Sequence, residues 1–214
     1  MTIVQTIERV TDWLNETVCP KIKLKLPDDN QNGSQYTVKA VNPTAFAMYQ
    51  PGKDKLPPGV IAPFPSVVVQ LLEGSDNMTE GNGRMKLQLS FTAWNPGKHT
   101  TKNAGELTRV TKTTVATDDK DLNVELVGVG SDTSFTRDAE GWKDVWNFVD
   151  RALRDIENAE YMNGLRVVKE LPITYGQFQQ EGQISDLYPY WGAWAIFTIE
   201  RGIARKGAAY SQYL

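Results

Sequence analysis

Asp138-Ala-Glu-Gly-Trp-Lys-Asp-Val-Trp-Asn-Phe-Val-Asp-Arg-Ala-Leu-Arg-Asp-Ile-Glu-Asn-Ala-Glu160 places apolar side chains at Trp142, Val145, Trp146, Val149, Leu153 and Ile156. The steps of 3, 1, 3, 4 and 3 residues trace one face of an α-helix. Lys143, Asp144, Asn147, Asp150, Arg151, Arg154, Asp155 and Glu157 fall on the other face. Thr136 or Asp138 is placed to cap the start, and Glu140 to favour the positive end of the dipole. The spacing predicts a helix over about 139–160, about 32 Å long. An isolated helix of this kind is marginal in water, so a flat apolar surface must cover its stripe. Tyr188-Pro-Tyr-Trp-Gly-Ala-Trp-Ala-Ile-Phe-Thr-Ile-Glu200 supplies that surface, with no Asp, Glu, Lys or Arg between Tyr188 and Ile199. From Tyr190 onward it reads as a strand that is apolar on both faces, hence a central or doubly covered one.

Toward the N-terminus, residues 2–18 predict a second helix. Thr2 and Gln5 form a capping-box pair, Ile3, Ile7, Val10, Leu14 and Val18 make its stripe, and Pro20 stops it. Lys21-Ile-Lys-Leu-Lys-Leu26 alternates lysine with aliphatic residues, which predicts a half-exposed strand whose lysine row guards an edge or forms a basic rail. A short strand is expected around Tyr36–Val41. Ser66–Glu73 reads as a buried strand, Gly74–Gly83 as a loop, and Met85, Leu87, Leu89 and Phe91 alternate with polar residues in a second strand. Further strands are expected at Leu107–Ala116 and Leu122–Val129. Gly164 is expected to stop the long helix. Arg166–Leu171 and Ile173–Gly176 read as one strand broken by Pro172, and Gln177–Leu187 as a polar loop. The order gives an α+β fold: a mainly antiparallel sheet packed by both helices, with long loop or hairpin excursions.

The 214 residues suit one domain spanning 1–214, with excursions at about 28–64 and 95–135 and a polar tail at about 202–214. A formal charge of −3 argues against nonspecific nucleic-acid binding by the whole surface, and no sequence-specific nucleic-acid motif is visible. Cys19 is the single cysteine and has no internal disulfide partner, which fits a reducing compartment. No apolar run approaches 18 residues, so no membrane partner is expected. The N-terminus lacks the layout of a signal peptide, so assembly in the cytoplasm is expected.

No phosphate-binding glycine loop, paired-cysteine motif or His-Glu-x-x-His is present, so no cofactor, metal or catalytic residue is assigned and no enzymatic activity is expected. Asp118-Asp-Lys-Asp121 lacks the glycine and terminal Glu of a calcium loop. Asp28, Asp29, Asp76 and Glu80 are loop acids with no evident partner. A hydrolase built on carboxylates brought together in space is the remaining enzymatic alternative. The segments best suited to contact other molecules are three: the basic loop with Lys98, His99, Lys102, Arg109 and Lys112; the proline arm with Leu56, Val60 and Phe64; and the tail with Tyr210 and Tyr213.

Three features resemble the tail terminator or tail-completion (neck) proteins of tailed bacteriophages. They are the amphipathic helix Thr2–Val18, the strand pair Pro65-Ser-Val-Val-Val-Gln-Leu71 and Leu87-Gln-Leu-Ser-Phe-Thr-Ala-Trp94, and the Glu140–Asp150 helix followed by Pro189–Ile199. The resemblance covers about two thirds of the chain as architecture, and residues 28–64 and 95–135 exceed what a compact member needs. It implies a virion protein at the head-proximal end of the tail, assembled in the host cytoplasm. Such a protein forms a homo-oligomeric ring, expected as a hexamer, that ends tail-tube growth and joins the tail to the head connector. Its partners would be itself, the tail-tube protein and the connector protein. Another neck, connector or tube protein would share this layout.

Overall fold

The computed structural model describes residues 1–27, 39–95, 98–101, 107–108, 133–136, 141–180, 183–184 and 187–202. Two α-helices, α1 (Ile3–Trp13) and α2 (Trp142–Asn158), bury their stripes in one continuous core against a seven-stranded sheet. Its strands are β1 (Thr44–Ala47), β2 (Ser66–Asn77), β3 (Asn82–Trp94), β4 (Tyr161–Met162), β5 (Leu165–Val167), β6 (Thr174–Gln177) and β7 (Tyr190–Gly202). They lie in the order β1-β2-β3-β7-β5-β4, with β6 also paired to β7. Only the β1–β2 pairing is parallel. The sheet curls into a half-barrel.

The expected α+β class therefore holds, and the last strand is central: β7 pairs with β3 along its whole length and with β5 and β6 on its other side. Period-2 alternation fixes the core face. Val67, Phe91 and Ala193 form one cross-strand row, Val69, Leu89 and Ala195 the next, and Leu71, Leu87 and Phe197 the third. α2 packs over β3 and β7. Phe148 meets Phe91 edge-on at 4.9 Å between centroids, and the small side chains of Ala93, Ala193 and Ala195 leave room for that pair.

The opposite face of the sheet is aromatic where β7 carries glycine or faces one. The Trp194 indole lies over Gly176, where a Cβ would come within 2.7 Å, and the Phe178 ring lies over Gly192, where a Cβ would come within 2.5 Å. Trp194 Nε1 donates to the Gln177 carbonyl at 3.0 Å. Beside them Ser90 Oγ donates to Gln70 Oε1 (2.8 Å) and Gln88 Nε2 donates to Ser90 Oγ (3.0 Å), a half-buried uncharged ladder.

α1 ties the curled sheet together. The Thr2–Gln5 capping box starts it as expected. Beyond Trp13 the helix widens into a π turn, Leu14–Val18, then tightens into a 3₁₀ turn, Cys19–Lys21. The Asn15 side chain donates to the Ala45 carbonyl (3.1 Å) and accepts from the Ala45 N–H (2.8 Å), so it closes the outer edge of β1 as a strand would. Arg9 and Asn163 exchange two hydrogen bonds, at 2.9 and 3.1 Å, which fasten the β4–β5 hairpin. Arg201 donates to the Met1 carbonyl (2.7 Å) and to both oxygens of Asp76 (2.8 and 3.1 Å).

Several expectations are corrected. α2 begins at Trp142 with Gly141 at its cap and no side-chain cap bond; Thr136 belongs to a strand, Thr133–Thr136, and 137–140 lie outside the described residues. Its buried face is centred on Phe148 and Ala152, and the first turn buries Asp144 and Val145 while Trp142, on the turn's outer side, is 41% exposed. Asp144 and Arg151, assigned to the solvent face, are buried. Of α1, Ile3 at the first turn is exposed. The expected loop 74–83 is mostly strand: β2 and β3 run on to a four-residue turn, 78–81, where Asn77 Oδ1 accepts from the N–H groups of Thr79 and Glu80 and Gly81 has φ +71°. Gly164 does not end a helix. With Asn163 it forms the two-residue turn between β4 and β5, both residues at positive φ as a type I′ hairpin requires.

Of the expected strand 21–26, Leu24–Lys25 pairs with Ala40–Val41, Ile22 is extended, and the Leu26 N–H donates to the Lys39 carbonyl at 2.7 Å; Lys21 belongs to the preceding 3₁₀ turn. Part of the expected polar loop 177–187 forms a short pair, Gln179–Gln180 with Gln183–Ile184. The strand broken by Pro172 is present as β5 and β6, both antiparallel to β7. Lys98–Thr101 pairs with Leu107–Thr108 and Thr133–Thr136 in a separate three-stranded sheet. The rest of the strand expected at 107–116, and all of that expected at 122–129, lie outside the described residues.

Burial pushes the Cys19 thiol up to about 12. A thiol-disulfide reagent at about pH 8 is therefore expected to leave the native chain unlabelled and to label its one thiol on denaturation. Native labelling at the rate of a free thiol would show that the Cys19–Lys21 turn opens readily.

Candidate functional site

The proline arm, the edge at β6 and a buried polar cluster are the three places where the structure concentrates unusual chemistry. The arm, 50–65, leaves β1 and leads straight into β2. Gln50 Nε2 donates to the Pro63 carbonyl and closes it into a loop, with Gly59 at φ +84° and the Val60 N–H donating to Pro57. Phe64 packs on Tyr190 with 4.8 Å between ring centroids, so it anchors the arm. Leu56 and Val60, also expected to face a partner, are half-buried. The side chain that points out is Ile61, 68% exposed, and Met48 and Tyr49 are exposed at the arm's root. A cleft of about 360 Å³ lies between the arm and Lys23, Asn42 and Thr44.

Lys98 and His99 lie on the small three-stranded sheet, His99 opposite Phe135 and Thr108. Lys102, Arg109, Lys112, Tyr210 and Tyr213 lie outside the described residues, as do Asp28, Asp29 and 118–121. Among the described residues of the expected contact set, Leu56, Val60 and Phe64 share the arm, and Lys98 and His99 share one strand of the small sheet. Sequence reading missed the region around β6. Between β5 and β6 the chain leaves the edge of β7, its last bond being Val168 N–H to Thr198 at 3.0 Å. Pro172, which offers no N–H, lies in this break. A groove of about 270 Å³ opens there between α2 and the edge, walled by Leu153, Val168, Leu171, Ile173, Tyr175 and Phe197. Tyr175 meets Trp146 edge-on at 6.0 Å yet remains exposed. Pro172 was the available signal; the groove itself depends on where α2 lies.

The polar cluster sits where α2 starts. Lys25 Nζ donates to Asn95 Oδ1 (2.6 Å), Asn95 Nδ2 donates to Asp144 Oδ2 (2.7 Å), and Trp191 Nε1 donates to the Asn95 carbonyl (2.9 Å). Lys25, Asn95 and Asp144 are all buried. Gly141 fits because a Cβ there would come within 2.3 Å of the Trp191 indole nitrogen and 2.8 Å of the Asn95 carbonyl. Burial pushes the Asp144 carboxyl above its ordinary value, against the pull of Lys25 and the Asn95 hydrogen bond. The cluster joins the Leu24–Lys25 strand, the end of β3 and the start of α2. Nearby, Asp155 holds Lys21 and Arg151, each at 3.2 Å, and fastens α2 to the turn after α1. Lys21 and Lys25 thus make separate inward contacts, with Asp155 and Asn95, and do not line up as a basic rail.

Among the described residues no group of three or more His, Cys, Asp or Glu side chains is placed to hold a metal ion, and no helix is long and apolar enough to cross a membrane. No protein-family description, curated protein sequence or solved structure matches this chain.

Proposed function

We propose that this chain is a structural protein of a phage virion, placed at the head-proximal end of the tail. It closes into a hexameric ring on the last ring of the tail tube, ends tube growth and offers its other face to the head connector. The observation that carries this reading is architectural: an N-terminal capped helix and a tryptophan-bearing helix share one core against a sheet closed by the final aromatic strand. That order of elements is the one on which the resemblance to tail terminators rests. The arm adds no strand to the seven-stranded sheet, and the small three-stranded sheet is not hydrogen-bonded to it. A ring of identical subunits needs two different patches per copy. Segments outside the core suit that role because they can adjust on contact without disturbing it.

The mass in solution tests the reading. Light scattering is expected to give six times 24.0 kDa for the chain, alone or after addition of tail-tube protein, and electron microscopy is expected to place it at one end of each tube. A chain that stays monomeric and leaves tube length unchanged would overturn the proposal. Polymerisation into long tubes by itself would assign it as a tube subunit instead.

A further inference from the structure

Three buried side chains from distant segments meet in an arrangement that a purely structural ion pair does not require. Lys25 Nζ lies 2.6 Å from Asn95 Oδ1, and Asp144 Oδ2 lies 2.7 Å from Asn95 Nδ2. One primary amide thus has an amine at its oxygen end and a carboxyl at its nitrogen end. The Asn95 backbone is fixed as well. Its N–H donates to the Pro189 carbonyl at 2.9 Å, and its carbonyl accepts from the Trp191 indole at 2.9 Å. Lys25, Asn95 and Asp144 are each at least nine-tenths buried, so bulk water has little access to the amide. The Lys21–Asp155 pair, by contrast, leaves its lysine side chain 31% exposed.

We propose that the folded chain joins Lys25 to Asn95 through an isopeptide bond, with Asp144 as the catalytic carboxyl. Lys25 Nζ attacks Asn95 Cγ, the Cγ–Nδ2 bond breaks, and Nδ2 leaves as ammonia. The Lys25 ammonium loses two protons: one passes to the Asp144 carboxylate and the other to the departing nitrogen. The first transfer frees the amine lone pair for attack. One amide is made as another is broken, so nothing is oxidised or reduced and no co-reactant enters. Burial favours the neutral form of Asp144, whose carboxyl is raised above its ordinary value, so it can hold the proton it receives. Holding amine and amide together replaces a bimolecular encounter, which is worth several orders of magnitude in rate. Asn95 precedes Pro96, which has no N–H, so loss of ammonia by cyclisation onto the next backbone nitrogen is closed to it. The linkage consumes the Lys25 charge, so any effect of that charge on stability belongs to the unlinked chain. The proposal does not depend on the ring reading.

Mass spectrometry of the full chain under denaturing conditions tests this. After prolonged incubation in the folded state, the chain is expected to weigh about 17 Da less than its sequence requires, the mass of one ammonia. Trypsin is expected to leave Lys25 uncut and to release a branched peptide carrying both Lys25 and Asn95. That peptide separates the loss from cyclisation at Asn163-Gly164. Asp144→Asn keeps the volume of the site and removes the proton acceptor, and Lys25→Met removes the nucleophile. Both variants are expected to keep their full sequence mass. On a denaturing gel the wild type, tied between positions 70 residues apart, is expected to run ahead of both. A wild-type chain that keeps its full mass while folded overturns the proposal, whatever the variants do. A mass deficit without the branched peptide overturns it too. The branched peptide in Asp144→Asn at the wild-type rate would overturn the catalytic role of Asp144 and leave the linkage standing.

Discussion

Phe148→Ala is expected to lower the unfolding free energy by about 3–5 kcal/mol, the usual cost of truncating a fully buried phenylalanine. Phe148 is 0% exposed and stacks edge-on with Phe91, itself 0% exposed, so both the transfer of the ring and the cavity left behind count against the variant. A domain of this size has about 5–15 kcal/mol in all, so the loss is a large share of it. Urea unfolding with an unchanged slope is the measurement. The informative comparison is Trp142→Ala, expected to cost less than about 1 kcal/mol because Trp142 is 41% exposed. Equal losses at the two positions would mean that α2 is rotated on the sheet relative to the arrangement described here.

That pair of positions also marks where sequence periodicity stops being informative. Spacing places Trp142, Val145, Val149 and Ile156 on one side of α2, but the width of the stripe depends on what lies beneath it. The sheet under α2 is shallow at Ala93, Ala193 and Ala195, so the helix turns Phe148 and Ala152 inward and leaves Trp142 at the rim. The start and the central place of β7 were legible from its run of apolar residues, but its second face is only half-buried, so the strand is central without being covered equally on both sides. The outer halves of β2 and β3 were not, since Gly74-Ser-Asp-Asn77 is an exposed extension of the ladder and carries no apolar pattern. Asn163-Gly164 is the dipeptide suited to two positive φ angles, so the sequence carries a hairpin turn there and not the expected helix stop. Of the contact surfaces, the arm was legible from its prolines. Its anchor and its exposed side chain were not distinguished, because Phe64 and Ile61 are both apolar and only the position of Tyr190 separates them. The edge groove needed α2, β5 and β7 together, three elements far apart in the chain.

The polar cluster is the place where local reading fails most completely, and it gives the second large effect. Lys25 and Asp144 each fall in a polar position of their own segment, and Asn95, from a third segment, bonds to both where they are buried. Lys25→Met is expected to destabilise the fold by about 3–5 kcal/mol at pH 7, because it leaves a buried carboxylate without its cation. The loss should depend on pH in a definite direction. The Asp144 carboxyl is already raised above 3.8 by burial, and Lys25 is the larger of the two influences pulling it down. A carboxyl with a raised folded pKa contributes stability that is complete below its unfolded value and is lost as pH rises through the folded value. Removing Lys25 raises the folded value further and deepens that loss at neutral pH. Below the unfolded value of about 3.8, Asp144 is protonated in both states and its charge costs nothing. There the electrostatic part of the deficit is gone and what remains is the loss of hydrogen bonds such as that from Lys25 to Asn95, about 1 kcal/mol for each bond. Urea unfolding of the wild type and the variant at about pH 3.5 and pH 7 reads the change directly. A deficit of the same size at both would mean that Lys25 acts through the packing of its stem, and that the Asp144 charge does not sense it.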